Sequence, residues 1–241
     1  MIGWRARLGF LVPPGNATVE TEMIAMAPEG VSLHFHRMLA RGTPGSLEGQ
    51  TERNRAMIES IDGAAEVLAM VKPDVIVVAH TATSYHLGRG GEADLLARLQ
   101  RSTGKRVVTA FASVVRALER LNVRKLAVGT PYSPEVTLQG KAHLEAHGLQ
   151  IVRFDNLKGI ENIYDTTAEQ AYGLARSVDA KEAEAVFLSG TGMPTVSILE
   201  MLEQDLGKPV ISSASAMMWH ALRLTGVGQP IPGYGRLLTL R

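Results

Sequence analysis

There is no cysteine among the 241 residues of this chain. That absence excludes disulfides, thiolate metal sites and any cysteine nucleophile. Net charge is nearly absent as well: 25 Lys and Arg stand against 24 Asp and Glu, leaving +1 at pH 7. So even a balance gives no electrostatic footprint for nucleic acid, and no long basic run stands out. No apolar stretch reaches the roughly 18–20 residues needed to span a bilayer. The opening, MIGWRARLGFLVPP, puts two Arg before a short apolar run, in the manner of a weak signal peptide. The run is brief and Pro13-Pro14 end it, so it reads as a first strand, and the protein is expected in the cytoplasm. A glycine-rich nucleotide turn is also missing: GNATVE (15–20) is neither G-x-G-x-x-G nor a P-loop.

What is there is a repeat. Residues 104–118 read GKRVVTAFASVVRAL and residues 207–221 read GKPVISSASAMMWHA. Each gives Gly-Lys, a short β-branched run, a hydroxyl-rich turn and an apolar helix-like stretch. Upstream lie DVIVVAHTATS (74–84) and EAVFLSGTGMP (184–194), each an apolar strand breaking into small and hydroxyl residues. With 45% apolar and 20% charged residues, the chain suits one or two α/β domains with a sizeable core.

Continuous apolar runs of the kind buried in parallel sheets fall at 7–12, 31–37, 75–79, 107–110, 125–129, 150–154, 185–189 and 210–212. Helical patterns fall between them, at 18–26, 47–70, 92–100, 112–121, 134–147, 167–178, 193–206 and 214–224. Such alternation predicts parallel sheets with helical crossovers. The repeat then predicts two pseudo-symmetric Rossmann-like lobes, each a parallel sheet flanked by helices, with the active site in the cleft between them. The division expected is 1–~112 with ~215–241 for one lobe and ~113–~214 for the other. The 47–70 helix carries Glu48, Glu52, Arg53, Arg55 and Glu59 and reads as solvent-facing. The loop 41–46 (RGTPGS) is a candidate lid, and the Gly- and Pro-rich tail reads as an extended cover.

Ligands of such sheets bind beyond the carboxyl ends of the strands. The residues there are Pro13 to Thr18, His80 to Tyr85, Phe111 to Ser113, Thr130 to Ser133, Ser189 to Met193 and Ser212 to Ser215. Ser and Thr in such turns are ordinary helix caps. Collected at one edge, they also make an anion site of orphan N–H donors and helix dipoles. Few ionisable groups stand there, chiefly His80 and Tyr132, with Tyr85 and His86 a turn further on. A site rich in neutral donors and poor in Lys and Arg suits a small carboxylate better than a nucleotide.

The turns resemble those of the aspartate/glutamate racemase superfamily, in its maleate isomerase and arylmalonate decarboxylase branch. The motifs are LGFLVPPGNATVETE (8–22), TPYSPE (130–135), IENI (160–163) and HTATSYHLG (80–88). The resemblance implies that Pro14, Asn16, Tyr132 and Asn162 hold a substrate carboxylate. It also implies that the turns at Thr81 and at Gly190 to Gly192 supply an oxyanion-type site. It implies action without metal or organic cofactor, on a small carboxylic or dicarboxylic acid, by a homodimer or homotetramer. The departure from the branch lies in its cysteines. The first falls on His80 by motif spacing or on Thr81 by the internal repeat, and the second on Thr191. A threonine hydroxyl is a poor substitute for a thiolate. What survives is electrostatic stabilisation of an enediolate, with His80 as proton carrier and Thr191 opposite. This favours a lyase reaction, decarboxylation or elimination, with isomerisation by a histidine base as the neighbouring possibility.

Two other classes are weighed beside it. One is a carboxylate-binding or sensor protein that has lost catalysis; the other is a hydrolase using Thr191 or Ser189 with His80 as base. His143 and His147 share one helix face, but HLEAH is not H-E-x-x-H and no third ligand is visible in the sequence, so no metal site is expected.

Overall fold

The computed structural model describes residues 2–240. Strands β1 (Ala6–Val12), β2 (Val31–Arg37), β3 (Val75–Val78) and β4 (Arg106–Thr109) form one parallel sheet in the order β2-β1-β3-β4. Strands β5 (Lys125–Thr130), β6 (Gln150–Asn156), β7 (Ala185–Leu188) and β8 (Val210–Ser212) form a second, in the order β6-β5-β7-β8. The two orders are the same pattern, which is the sequence repeat expressed as topology. The fold is α/β, with two parallel four-stranded sheets flanked by helices.

The helices are α1 (Thr18–Met26), α2 (Gln50–Ala69), α3 (Thr81–Thr103), α4 (Ala110–Arg120), α5 (Pro134–Ala146), α6 (Ala168–Val178), α7 (Leu199–Leu206) and α8 (Ser213–Leu224). The repeated segments are β4-α4 and β8-α8. Thr109 caps α4 by accepting from Ala112 N at 2.9 Å, and Ser212 caps α8 by accepting from Ser215 N at 3.1 Å. These hydroxyls satisfy orphan helix N–H groups. The paired helices also meet across the molecule, where His220 Nδ1 lies 3.1 Å from Ser113 Oγ.

Sheet one buries Leu8, Phe10, Val75 and Val77 in a core shared with Val128, Phe187 and Ile211 of sheet two. Separate clusters cover the outer faces: Met57, Ile61 and Leu68 over the first sheet, Leu174, Leu199 and Leu202 over the second. The tail packs on both halves, with Tyr234 O–H donating to Ala25 O at 2.7 Å and Arg236 N donating to Glu203 Oε2 at 2.7 Å, and ends in a 3₁₀ turn at Arg236–Thr239 rather than wholly extended.

Three helix boundaries differ from those expected. Helix α2 starts at Gln50, because Gly49 is left-handed at φ 63° and Leu47 N is tied to Glu161 O at 2.8 Å. Helix α3 begins at Thr81 and not Glu92; Gly88, at φ 65° and ψ 178°, breaks it into two abutting pieces. Helix α7 begins at Leu199, since Gly192 to Thr195 stay irregular and a 3₁₀ turn occupies Val196–Ile198.

Candidate active site

Strand order reverses beside β1 and β3 in one sheet and beside β5 and β7 in the other. These are the switch points where parallel sheets open a crevice. The turns leaving those strands carry Asn16, His80, Tyr132 and Thr191 respectively. All four line one cavity of about 40 Å³, together with Pro13, Gly45, Ser46, Gln50, Arg53, Asn54, Met57, Ile163, Tyr164 and Gly192. The shared cavity joins the two sheets at corresponding positions.

Each side chain is held before any ligand arrives. Asn16 Oδ1 accepts from Val19 N at 3.1 Å, capping α1, and its Nδ2 donates to Thr191 Oγ1 at 3.3 Å. Thr191 in turn donates to Ala79 O at 3.0 Å. His80 Nδ1 sits 2.9 Å from Thr83 Oγ1. Burial pulls the His80 imidazole down to about 4, so it is neutral at pH 7. Burial pushes the Tyr132 phenol up, and the neighbouring Tyr85 adds to this, so Tyr132 stays a neutral O–H donor. Arg37 fixes the turn that presents Asn16. Its Nη1 donates to Pro13 O, Pro14 O and Asn16 O at 3.2, 3.2 and 3.0 Å, and its Nη2 reaches Glu20 Oε2 at 2.8 Å.

Four residues expected at the site lie outside the lining. Thr81 Oγ1 donates to Ser213 Oγ at 2.9 Å and its side chain also bonds Tyr132 of the lining, and Gly190 N donates to the same Ser213 oxygen at 3.2 Å. Pro14 yields its place to Pro13. Asn162 caps the 3₁₀ turn Ile163–Asp165 through Tyr164 N at 2.9 Å and donates to Pro44 O at 2.8 Å. It ties the 41–46 loop to that turn through Pro44. Among the described residues, neither Thr191 nor Ser189 hydrogen-bonds a histidine; Ser189 Oγ pairs with Tyr85 O–H at 2.8 Å.

The charges of helix α2 predict a solvent-facing element, yet Gln50, Arg53, Asn54 and Met57 form one wall. The site is therefore not free of cations. The Arg53 guanidinium is anchored on Glu48 O at 2.6 Å and on Ser46 O. Gln50 and Asn54 continue the buried stripe of Met57, Ile61 and Leu68 at helical spacing. Polar residues on that apolar stripe were the available signal.

Glu22 of the opening motif does structural work. Its Oε1 accepts from Thr195 N and from Val196 N (2.7 Å), stapling α1 to the segment after β7, while its Oε2 is buried without a hydrogen-bond partner. Burial pushes its carboxyl up to about 7. A raised folded value favours the protonated acid, so this contribution to stability is whole below about 4.5 and is lost as pH rises through about 7. Glu22→Gln should therefore gain on wild type by about 2–3 kcal/mol between pH 5 and pH 8, read from urea unfolding at both pH values. A difference constant with pH would contradict it.

The arylmalonate decarboxylase family model matches residues 8–238. The chain belongs to this family. Within it, the chain is 30% identical to a maleate isomerase of Nocardia farcinica over 242 residues, covering 96% of this chain and 95% of that one. It is 28% identical to an arylmalonate decarboxylase of Bordetella bronchiseptica over 235 residues, covering 95% of each. A mutant of the Nocardia farcinica maleate cis-trans isomerase with a covalently bound succinylcysteine intermediate superposes at a TM-score of 0.88, with 28% identity over 97% of this chain and 98% of that one. Membership makes this an enzyme of the isomerase or lyase class. A succinylcysteine cannot form on this family member, which has no thiol to carry it.

Proposed function

We propose that the protein is a lyase that decarboxylates a small dicarboxylic acid of the malonate type, through an enediolate and without a covalent intermediate. The observation that supports this reading is His80 lining one cavity with Asn16, Tyr132 and Thr191, in a chain that has no cysteine.

One carboxylate of the acid accepts from Asn16 and Tyr132. Arg53, which also lines the cavity, offsets the second negative charge. Loss of that second carboxylate as CO₂ breaks its bond to the α-carbon, and the electron pair passes into the retained carboxylate as an enediolate. Preorganised donors aimed at that developing charge supply the largest share of such a rate enhancement. The α-carbon then takes a proton from His80. Burial holds His80 neutral, and the negative charge of a bound acid opposes that shift and draws a proton onto it. Met57 and Ile163 give the lining an apolar side that would meet a short aliphatic group on the α-carbon.

The test is product analysis by NMR after incubation with malonate, methylmalonate, phenylmalonate and maleate. Loss of CO₂ from a malonate supports the reading. Conversion of maleate to fumarate alone replaces it with an isomerase using His80 as base. Tight binding with no turnover of any acid replaces it with a carboxylate-binding protein.

A further inference from the structure

We propose that Glu92, His143 and His147 form a binding site for a divalent transition metal of the zinc class, tying α3 of the first lobe to α5 of the second. The site is separate from the cavity just described and does not depend on the reaction assigned to it. The spacing of His143 and His147 left it one ligand short; the fold supplies the third from α3.

The two histidines lie one turn apart on α5, with ring centroids 4.8 Å apart. The ligand-capable atoms of all three residues lie within 4.8 Å of one another. His143 Nε2 is 3.4 Å from Glu92 Oε2. Ligands at about 2.0–2.2 Å from a tetrahedral zinc are themselves roughly 3–3.5 Å apart, so that edge already fits. His147 is half-buried at the rim, where its ring can close the remaining distance.

The surroundings are those of a prepared site. Glu92 Oε1 is occupied by Ser84 Oγ at 2.7 Å and by Thr109 Oγ1, which orients Oε2 toward the histidines. His147 Nδ1 lies 2.9 Å from His143 O. A carbonyl only accepts, so the proton is on Nδ1 and the lone pair on Nε2, the tautomer a metal requires. Phe111 packs 4.2 Å from the His143 ring and 5.0 Å from the His147 ring, shielding one side. The other side opens at His147 into a surface cleft of about 290 Å³, bordered by Glu119, Asn122 and Leu149. That cleft gives an ion its entry path and a water its place as fourth ligand. Two imidazoles and one carboxylate suit zinc, cobalt or nickel better than magnesium or calcium.

The experiment strips the full-length protein with EDTA, dialyses it, and titrates it with Zn²⁺ and, separately, Co²⁺. Expected are one zinc per chain by calorimetry, a rise in Tm of about 5–10 °C at saturating zinc, and the visible d–d absorption of a tetrahedral cobalt centre. His147→Gln, at the rim, should keep the metal-free Tm and circular dichroism of wild type while weakening zinc at least about tenfold. Glu92→Gln should do the same where it folds; His147→Gln decides alone where it does not. No stoichiometric uptake by wild type would overturn the proposal, and so would undiminished affinity in His147→Gln. In either case the three residues would be a hydrogen-bonded cluster only.

Discussion

His80→Gln is expected to lower turnover of a malonate-type acid by about 10²–10⁴-fold with little change in KM, the range for loss of a positioned proton donor. Glutamine is polar, of similar reach, and able to bond Thr83 as His80 Nδ1 does, so the cavity wall survives. What it cannot do is take up and release a proton. A KM-neutral loss of kcat marks an interaction made only in the transition state. Steady-state kinetics at pH 7 check it; turnover within about a factor of three of wild type would remove His80 from the mechanism. The same residue has a stability signature. Its folded pKa is lowered from 6.5 to about 4, so the neutral ring is the form that folds. Stability is whole above about 6.5 and is lost as pH falls, by about 3 kcal/mol at pH 4. His80→Gln should abolish that loss, seen as a flatter Tm profile between pH 7 and pH 4.

Arg37→Ala should act at a distance, lowering kcat/KM about 100-fold. Arg37 does not line the cavity, but its guanidinium gathers the carbonyls of Pro13, Pro14 and Asn16 and pairs with Glu20. Without it the turn after β1 loses its tether, and Asn16 leaves the position from which it meets Thr191 at 3.3 Å. A displacement near 1 Å at a substrate-positioning group costs about two orders of magnitude. Three carbonyls losing one charged donor, in a half-exposed setting, should cost about 2 kcal/mol, or 4–8 °C in Tm. Arg37→Lys should keep most of the pairing with Glu20 but little of the activity, because a point charge cannot serve several carbonyls in fixed geometry. Full activity in Arg37→Lys would show that only the charge matters.

Much of the architecture was legible because the repeat and the continuous apolar runs are direct consequences of burying parallel strands on both faces. Asn16, His80, Tyr132 and Thr191 were legible for a related reason: parallel topology forces the residue after each switch-point strand to the same edge. The α2 wall was not, because Arg53 sits among Glu48, Glu52 and Glu59 and a charged helix reads as solvated until tertiary packing picks its buried face. Thr81 and Gly190 have partners that no local pattern shows. Their donors look free in sequence, but Ser213, distant along the chain, consumes both. Asn162 likewise looked like a ligand until the fold brought Pro44 and Tyr164 to its two ends. Glu92 was invisible as a partner of His143, since only the packing of α3 on α5 joins them.

The most direct test is a crystal structure with malonate. The expected result is one anion in the inter-lobe cavity, a carboxylate oxygen within about 3.2 Å of both Asn16 Nδ2 and the Tyr132 hydroxyl, and the His80 ring facing the α-carbon. Malonate bound elsewhere, or bound there with His80 turned away from the α-carbon, would contradict the proposed chemistry.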